Sequence, residues 1–405
     1  MTISEVVQMQ GHLIDSGMLS RALDDILEAG ADYEIQDLVF GKTKNDESTA
    51  RILITHEDAI ALNDLVVRLQ NHGANPVETS DAVTVPAPMD GVFPEGFHSS
   101  TNFETYVRIS GEWVPVTNPE MDCGLVLRDG GVTTVPMSDV RAGEPVVIGF
   151  LGVKVVVPPP PRSDSESVFE FMNSVVSSEK PQALQVRQIA DQMRECKAAG
   201  KRILWVGGPA IVHTGGAPAL SRLVAAGYVD VLFAGNALAV HDIESNMYGT
   251  SLGVDLSKGS GVDHGHENHI RAINRVRSYG SIAQAVAARA ITDGLMYSMV
   301  KADKPFVLVG SVRDDGPLPD VYTDVIEGQR AMRAQLQDVG FAIMVATMLH
   351  AIATGNILPA SIPLVCVDIN PSTVTKLSDR GSAQAQGVVT DIGLFLEQLA
   401  MELVP

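Results

Sequence analysis

The alternation of apolar and polar positions divides the chain into three stretches. Within residues 1–85, an extended piece, ISEVVQMQGHLI, precedes GMLSRALDDILEAG, whose apolar positions recur at helical spacing. Asp15 and Ser16 stand where a helix cap belongs, and Gly30 where the helix stops. YEIQDLVFG then predicts a strand, KTKNDES a turn and RILITH a further strand. A second helix is predicted over 57–72, with Ala59, Leu62, Leu65, Val66 and Leu69 on one face and Gly73 at its end. DAVTVP, at 81–86, is predicted as the fourth strand. The order β-α-β-β-α-β is that of a ferredoxin-like module.

Residues 86–160 change character. Short apolar pieces (TYVRISG, EWVPV, CGLVLRDGG, VTTVP, PVVIGFLGVKVVVP) separated by Gly, Asn and Pro predict a β-rich segment without a long helix. Four prolines, 158–161, followed by RSDSES, form a stiff spacer and the expected linker. Over 161–405 helices and strands alternate. RILWVGG, DVLFAGN, FVLVGSV and LVCVDIN are predicted strands, and SIAQAVAARAITDGLMYSMVKA a predicted helix. Strands that read as continuous apolar runs between helices imply a mostly parallel sheet covered on both faces. The most apolar run, GFAIMVATMLHAIATG at 340–355, is predicted as one buried helix, too short to span a bilayer at about 18–20 residues.

Composition narrows this only modestly. The chain has 405 residues, 45% of them hydrophobic, enough for two or three domains. A net charge of −20 disfavours nucleic-acid and anionic-membrane partners. Three widely spaced cysteines without a CxxC argue against a disulfide framework or structural zinc, and fit a reducing cytoplasm. The opening MTISEVVQMQGHLIDSG has neither the basic start nor the apolar core of a signal peptide.

Parallel sheets bind ligands beyond the carboxyl ends of their strands, so the residues just after each strand are the candidates. GGPAIVHTGGAPAL, at 207–220, offers glycines that let backbone N–H groups approach an anion. Asn236 and Ala237 follow DVLFAG directly, with His241 and Asp242 further along the expected helix. Arg313, Asp314 and Asp315 cluster in a Gly/Pro loop. Asp368 closes an apolar strand, where a carboxylate can accept from ribose hydroxyls, and Asp391 repeats the arrangement. The fingerprint GxGxxG follows no predicted strand, so a standard Rossmann site is not expected. The tract DHGHENH carries His264, His266 and His269 at spacings that could chelate, but without a partner at zinc spacing; a polar loop is the preferred reading and no metal is assigned.

Longer strings are more specific. APMDGVFPEGF (87–97), ETYVRISGEWVPV (104–116), NPEMDCG (118–124), FAGNALAVHDIESNMYGTSLG (233–253) and GHENHIRAINRVR (265–277) together resemble one family. It is the family named after a conserved region of the bifunctional lysine-ketoglutarate reductase/saccharopine dehydrogenase (LOR/SDH). Its studied members include archaeal-type ornithine cyclodeaminases and the C-terminal part of cyanobacterial arginine dihydrolase fusions. The resemblance implies an NAD-binding domain like that of deoxyhypusine synthase, which accounts for the missing fingerprint. It implies NAD contacts at Asn236, Ala237, one of Asp314 and Asp315, the stretch Thr347, Met348, Leu349 and His350, then Asp368, Asp391 and Ile392.

The implied reaction converts L-ornithine to L-proline and ammonia, with NAD taking a hydride from Cα and later returning it. The protein must then hold the α-carboxylate and keep the reacting amines neutral, against an ordinary amine pKa of about 10.4. Candidates come from the β-rich segment: Arg108 as a bidentate fork on the carboxylate, Glu95 and Asp122 as proton acceptors, Cys123 to polarise a reacting nitrogen, and Lys154 as a further contact. Each of these is equally readable as a surface charge or, for Cys123, as a small buried hydrophobe. Two other readings stay open, NAD chemistry on another basic amino acid and a non-catalytic amino-acid sensor. A homo-oligomer is expected.

Overall fold

A computed structural model of the chain describes residues 2–13, 17–41, 46–77, 80–157, 182–251, 254–255, 268–314, 316–379 and 385–404. The predicted linker at 158–167 lies outside them. Backbone contacts separate the chain into two units, 1–165 with 356–361, and 166–355 with 362–405.

The first unit opens with β1 (Ile3–Gly11), α1 (Met18–Glu28), β2 (Asp32–Val39), β3 (Ser48–His56), α2 (Ala59–Gln70) and β4 (Asn75–Pro76). The four strands form an antiparallel sheet in the order β2-β3-β1-β4. Its inward face, Val7, Met9, Ala50, Ile52 and Ile54, packs on Ala22 and Ile26 of α1 and on Leu62, Leu65, Val66 and Leu69 of α2. Asp58 caps α2 by accepting from Ile60 and Ala61.

Two expectations are corrected here. The fourth strand is the dipeptide Asn75–Pro76, pairing with Val7 and Gln8, whereas Val83–Pro86 of DAVTVP belongs to another sheet. A two-residue strand has no periodicity to read. The cap of α1 is Gly17 in the left-handed region, with no side-chain bond; Asp15 and Ser16 lie outside the described residues.

The second sheet of this unit contains β5 (Val83–Pro86), β6 (Glu104–Ile109), β7 (Glu112–Thr117), β8 (Gly124–Arg128), β9 (Gly131–Val135), β10 (Pro145–Ile148) and β11 (Val153–Val156). Its order is β11-β6-β7-β9-β8-β10-β5, antiparallel except for β7 beside β9. Polar side chains knit it to the first sheet and its helix: Asn75 of β4, partly buried, bonds both the N–H and C=O of Val155 at 2.8 Å, and the buried Gln70 of α2 donates to the Val153 carbonyl at 2.7 Å.

The second unit runs α3 (Gln182–Ala198), β12 (Arg202–Gly207), α4 (Ala210–His213), α5 (Ala217–Ala225), β13 (Val231–Gly235), α6 (Asn236–Tyr248), β14 (Thr250–Ser251), β15 (Val254–Asp255), α7 (Asn268–Tyr279), α8 (Ile282–Ala287), α9 (Leu295–Lys301), β16 (Phe306–Val309), β17 (Val321–Tyr322), α10 (Val325–Ala334), β18 (Val339–Val345), α11 (Leu349–Ile357), β19 (Leu364–Asp368), α12 (Pro371–Asp379), β20 (Ala385–Val389) and α13 (Ile392–Leu403). Seven of its strands form one parallel sheet in the order β17-β16-β13-β12-β18-β19-β20. Counting from β12, this is the order 3-2-1-4-5-6 with β17 added at one edge, the doubly wound arrangement of dinucleotide-binding domains. The exclusion drawn from the missing GxGxxG is thereby corrected at the level of the sheet. Chain topology is set by packing and by right-handed crossovers, not by the glycine fingerprint. Trp205, Phe233, Phe341 and Phe395 fill the core without exposed surface.

Two predicted helices are also corrected. The run 340–355 is not one helix: Val339–Val345 is a central strand and α11 starts at Leu349. A short apolar run reads alike as buried strand or buried helix. The stretch 281–302 is broken into α8 and α9 at Arg289 and Gly294, both with positive φ. At Gly294 a Cβ would stand 2.8 Å from a carboxylate oxygen of Asp242, which accepts from Leu295 and Met296 at the start of α9. Burial pushes the Asp242 carboxyl up to about 6.

The tightest approach in the sheet is at Gly208, whose Cβ would fall 1.8 Å from the Ala346 carbonyl oxygen. Gly208→Ala is expected to lower the unfolding free energy by about 3 kcal/mol or more, as overpacking against backbone that cannot yield. Chemical denaturation of the two proteins would measure it, and equal midpoints would refute it.

Candidate functional site

A cavity of about 140 Å³ lies at the carboxyl ends of β13, β12 and β18, where the strand order reverses. Four strand ends converge on it. Gly207, Gly208 and Pro209 come from β12 and its turn, and Gly235, Asn236 and Ala237 from the β13–α6 junction. Val309, Ser311 and Asp314 come from β16 and its loop, and Thr347 and His350 follow β18. Open α/β sheets place ligands in this crevice because flanking connections diverge there.

The chemistry of the wall favours an anion beside a polar, partly apolar group. Helix α6 begins at Asn236 after Gly235, with no side-chain cap. Helices α2, α8, α10 and α13 by contrast are capped by Asp58, Ser281, Asp324 and Asp391. The first turn of α6 therefore presents backbone N–H groups, and the positive end of its dipole, to the cavity. Asn236 is only 4% exposed, and its Oδ1 accepts from Leu318 N at 3.1 Å, tying the β16 loop to the start of α6. Asp314 accepts from Ser311 N at 2.9 Å. The His350 ring lies over Gly235, where a Cβ would meet its Nε2 at 3.2 Å, and burial lowers its pKa.

Of the residues marked from the sequence, Asn236, Ala237, Asp314, Thr347 and His350 are brought around this one cavity. Asp368 ends β19, two strands from β12, and one of its oxygens accepts from Asn370 N at 2.8 Å. Three strand spacings of about 4.8 Å separate the ends of β13 and β19, so Asn236 and Asp368 share a rim about 14 Å long. Asp391 caps α13 by accepting from Leu394 N at 2.8 Å, and Ile392 behind it is buried. Met348 is half-buried and Leu349, at 79%, is exposed on the rim. Asp315, His264 and His266 lie outside the described residues; His269 lies on α7.

The first-unit candidates sit on separate strands and loops. Glu95 is exposed, Arg108 on β6 is 4.0 Å from Asp81, and Lys154 on β11 is exposed. Asp122 is exposed at φ 60°, and Cys123 is buried with its Sγ toward the Met121 carbonyl. All three cysteines are free. Among the described residues no three His, Cys, Asp or Glu side chains form a metal-holding group, and no helix is long and apolar enough to cross a membrane. The sequence reading passed over Glu244, a wholly buried carboxylate on α6; its signal was the acidic residue three positions after His241, one helical turn on.

This strand order, with an uncapped helix start and close-approach glycines at the reversal point, defines the class of nucleotide-cofactor α/β proteins. The chain belongs to the LOR/SDH and arginine dihydrolase C-terminal family: it matches the LOR/SDH bifunctional enzyme conserved region over 4–103, the first region of the ArgZ-like arginine dihydrolase C-terminus over 104–186, and the Rossmann fold of that C-terminus over 187–399. It is 52% identical to an ornithine cyclodeaminase of Methanothermobacter thermautotrophicus, over 98% of this chain and 97% of that one. The apo structure of cyanobacterial ArgZ, an arginine dihydrolase, superposes with TM-score 0.86 at 38% identity, over 99% of this chain and 58% of ArgZ. AgrE, solved in ternary complex with ornithine and NAD⁺, gives TM-score 0.54 at 40% identity, over 99% of this chain and 57% of AgrE. The chain thus spans a little over half the length of these two cyanobacterial proteins.

The cap role of Asp391 is separable by stability. Asp391→Ala is expected to lower the unfolding free energy by about 1 kcal/mol through loss of the Leu394 bond, read by denaturant titration. An unchanged midpoint would show that the carboxylate contributes nothing to α13.

Proposed function

We propose that this chain is an NAD-dependent ornithine cyclodeaminase, converting L-ornithine to L-proline and ammonia. The observation that carries the reading is the single cavity that gathers Asn236, Ala237, Asp314, Thr347 and His350 at the reversal point, in a chain 52% identical to an archaeal ornithine cyclodeaminase. The residues fit a dinucleotide. Gly208 and Gly235 allow close backbone approach, and the uncapped start of α6 supplies N–H donors for a phosphate. The cavity is smaller than the roughly 300–1,000 Å³ of sites for drug-sized ligands. It therefore takes in one part of the cofactor, and the rim with Met348, Leu349, Asp368, Asp391 and Ile392 serves the rest. When bound, NAD supplies a reversible acceptor for the hydrogen at ornithine Cα.

The chain's own residues supply the remainder. Asp368 has the position for ribose hydroxyls, and His350, kept neutral by burial, can meet the cofactor without adding charge. In this reading Arg108 grips the α-carboxylate through a bidentate fork, Glu95 and Asp122 handle the amine protons, and Cys123 lies beside Asp122 as a polarising neighbour. We further read the module assigned to 1–85 as ferredoxin-like and the second unit as akin to the NAD domain of deoxyhypusine synthase. The substrate-side segment is taken as 86–160, and the protein as a cytoplasmic homo-oligomer. The chemistry is internal to one substrate, so the cofactor returns to its starting state.

Incubation with L-ornithine and NAD⁺ is expected to yield proline and ammonia in equal amounts with no net NADH absorbance. Net NADH, or a product keeping both nitrogens, would assign a different reaction on a basic amino acid. Ornithine binding without turnover would make the chain a sensor. Arg108→Ala is expected to raise KM for ornithine roughly 10- to 100-fold, the loss of a charge-assisted pair, with NAD affinity unchanged by calorimetry.

A further inference from the structure

Two helices that start beside cavity residues carry a cluster of polar side chains set in an otherwise apolar core. Helix α4 starts after the cavity residue Pro209 and ends at His213; α6 starts at the cavity residue Asn236 and carries His241 and Glu244. The His213 and His241 rings are 4.9 Å apart. His241 Nδ1 is 3.0 Å from Glu244 Oε2, Thr250 donates to Glu244 Oε1 at 2.8 Å, and Asn268 donates to Thr250 at 2.9 Å. At the other end His213 Nδ1 is 2.7 Å from Ser251 Oγ. Glu244 is 0% exposed, and its helix neighbours Leu238, Ala239, Val240 and Ile243 belong to the apolar core. A carboxylate is costly in such surroundings unless it is bonded on both oxygens, as this one is.

Stability alone gives little reason to place this set where an apolar packing would serve. The reaction proposed above gives one. Ornithine cyclodeamination needs a group that takes a proton from an ammonium and later gives it to departing ammonia. His213, half-buried, is the accessible end of the chain, whereas His241 and Glu244 are enclosed.

We propose, resting on that functional reading, that His213 carries the proton of the α-nitrogen, which leaves the δ-nitrogen's proton to Glu95 and Asp122, with His241 and Glu244 as its positioning pair. With Nδ1–H donated to Ser251 Oγ, the lone pair on Nε2 accepts one proton from the α-ammonium of ornithine, leaving a neutral amine and an imidazolium; the δ-ammonium gives its proton to the carboxylate of Glu95 or Asp122, so that its lone pair can attack, and the ring nitrogen regains that proton once it is the amine of proline. The proton on Nε2 returns to the α-nitrogen as it departs as ammonia. Overall the ornithine cation becomes zwitterionic proline and ammonium, so no proton is gained or lost. Burial lowers the His213 pKa from its ordinary value, and His241 lowers it further, while Glu244 raises it. The other titratable groups nearby are His269 of α7, 6.5 Å from His241, Asp242, bonded to the start of α9, and Asp391, bonded at the start of α13. The imidazole is thus the free base at neutral pH, as a general base requires.

The test uses the full chain, with kcat and kcat/KM for ammonia release from ornithine followed against pH, and NAD binding measured separately by calorimetry. Wild-type kcat/KM is expected to fall on the acid side with a midpoint below about 6.5. His213→Asn is expected to lose about 100-fold or more in kcat, together with that acid limb, while NAD affinity stays within a few-fold. His241→Asn is expected to move the limb to higher pH, because it removes a neighbour that lowers the His213 pKa. A merely structural role would move neither limb. Turnover by His213→Asn within a few-fold of wild type, with the limb intact, overturns the inference. Should His213→Asn fail to fold, the limb in His241→Asn decides: an upward shift supports the carrier and an unmoved limb overturns it. A wild-type chain that binds NAD yet releases no ammonia from ornithine defeats the functional reading itself, whereas normal turnover alongside a fully active His213→Asn defeats only this inference.

Discussion

The closeness of two backbones at the centre of the parallel sheet underlies everything at its rim. Gly208 leaves β12 against the Ala346 carbonyl with no room for a side chain, and Gly208 N donates to Val345 O at 2.9 Å. Because β12 and β18 run on in register to this point, their connections part in opposite directions directly beyond it. That divergence is what opens a crevice, and the absent Cβ is what lets the crevice have a floor of backbone rather than of side chains.

The same end of the sheet shows how polar groups are kept inside an apolar unit. Asn236 holds the β16 loop through Leu318, Asp242 holds the start of α9, and Glu244 holds His241 and Thr250. In each of these three the acceptor is filled by a backbone or side-chain donor, so the desolvation cost is met by bonds that also fix geometry. Helix α6 is therefore anchored by polar contacts along one side and by the apolar core along another. Its uncapped first turn stays aimed at the cavity, because everything after that turn is held.

Family membership and site geometry contribute different things. The matches cover nearly the whole chain and say which proteins share its build. They do not by themselves say which side chains do the chemistry. The geometry brings five candidates from three strand ends around one cavity. For the substrate side it supplies surroundings: Arg108 near Asp81, Cys123 enclosed, Asp122 and Glu95 in water.

Local pattern was enough to read β12, β13, β16 and β19, because buried parallel strands are written as unbroken apolar runs. It was also enough to mark Asn236 and Asp314, which line the cavity, because residues directly after such strands face the crevice. It failed where an element's nature depends on distant neighbours. Val339–Val345 is apolar enough for either a helix or a strand, and only its place between β12 and β19 makes it a strand. Asn75–Pro76 is a strand solely because β1 lies alongside. His213 and His241 are 28 positions apart, and only the packing of α4 against α6 makes them neighbours. Chain-local hydrophobic pattern therefore determined which segments are buried, whereas strand order, the crevice at its reversal and the meeting of polar side chains were decided by tertiary packing, which no period of two or 3.6 residues encodes.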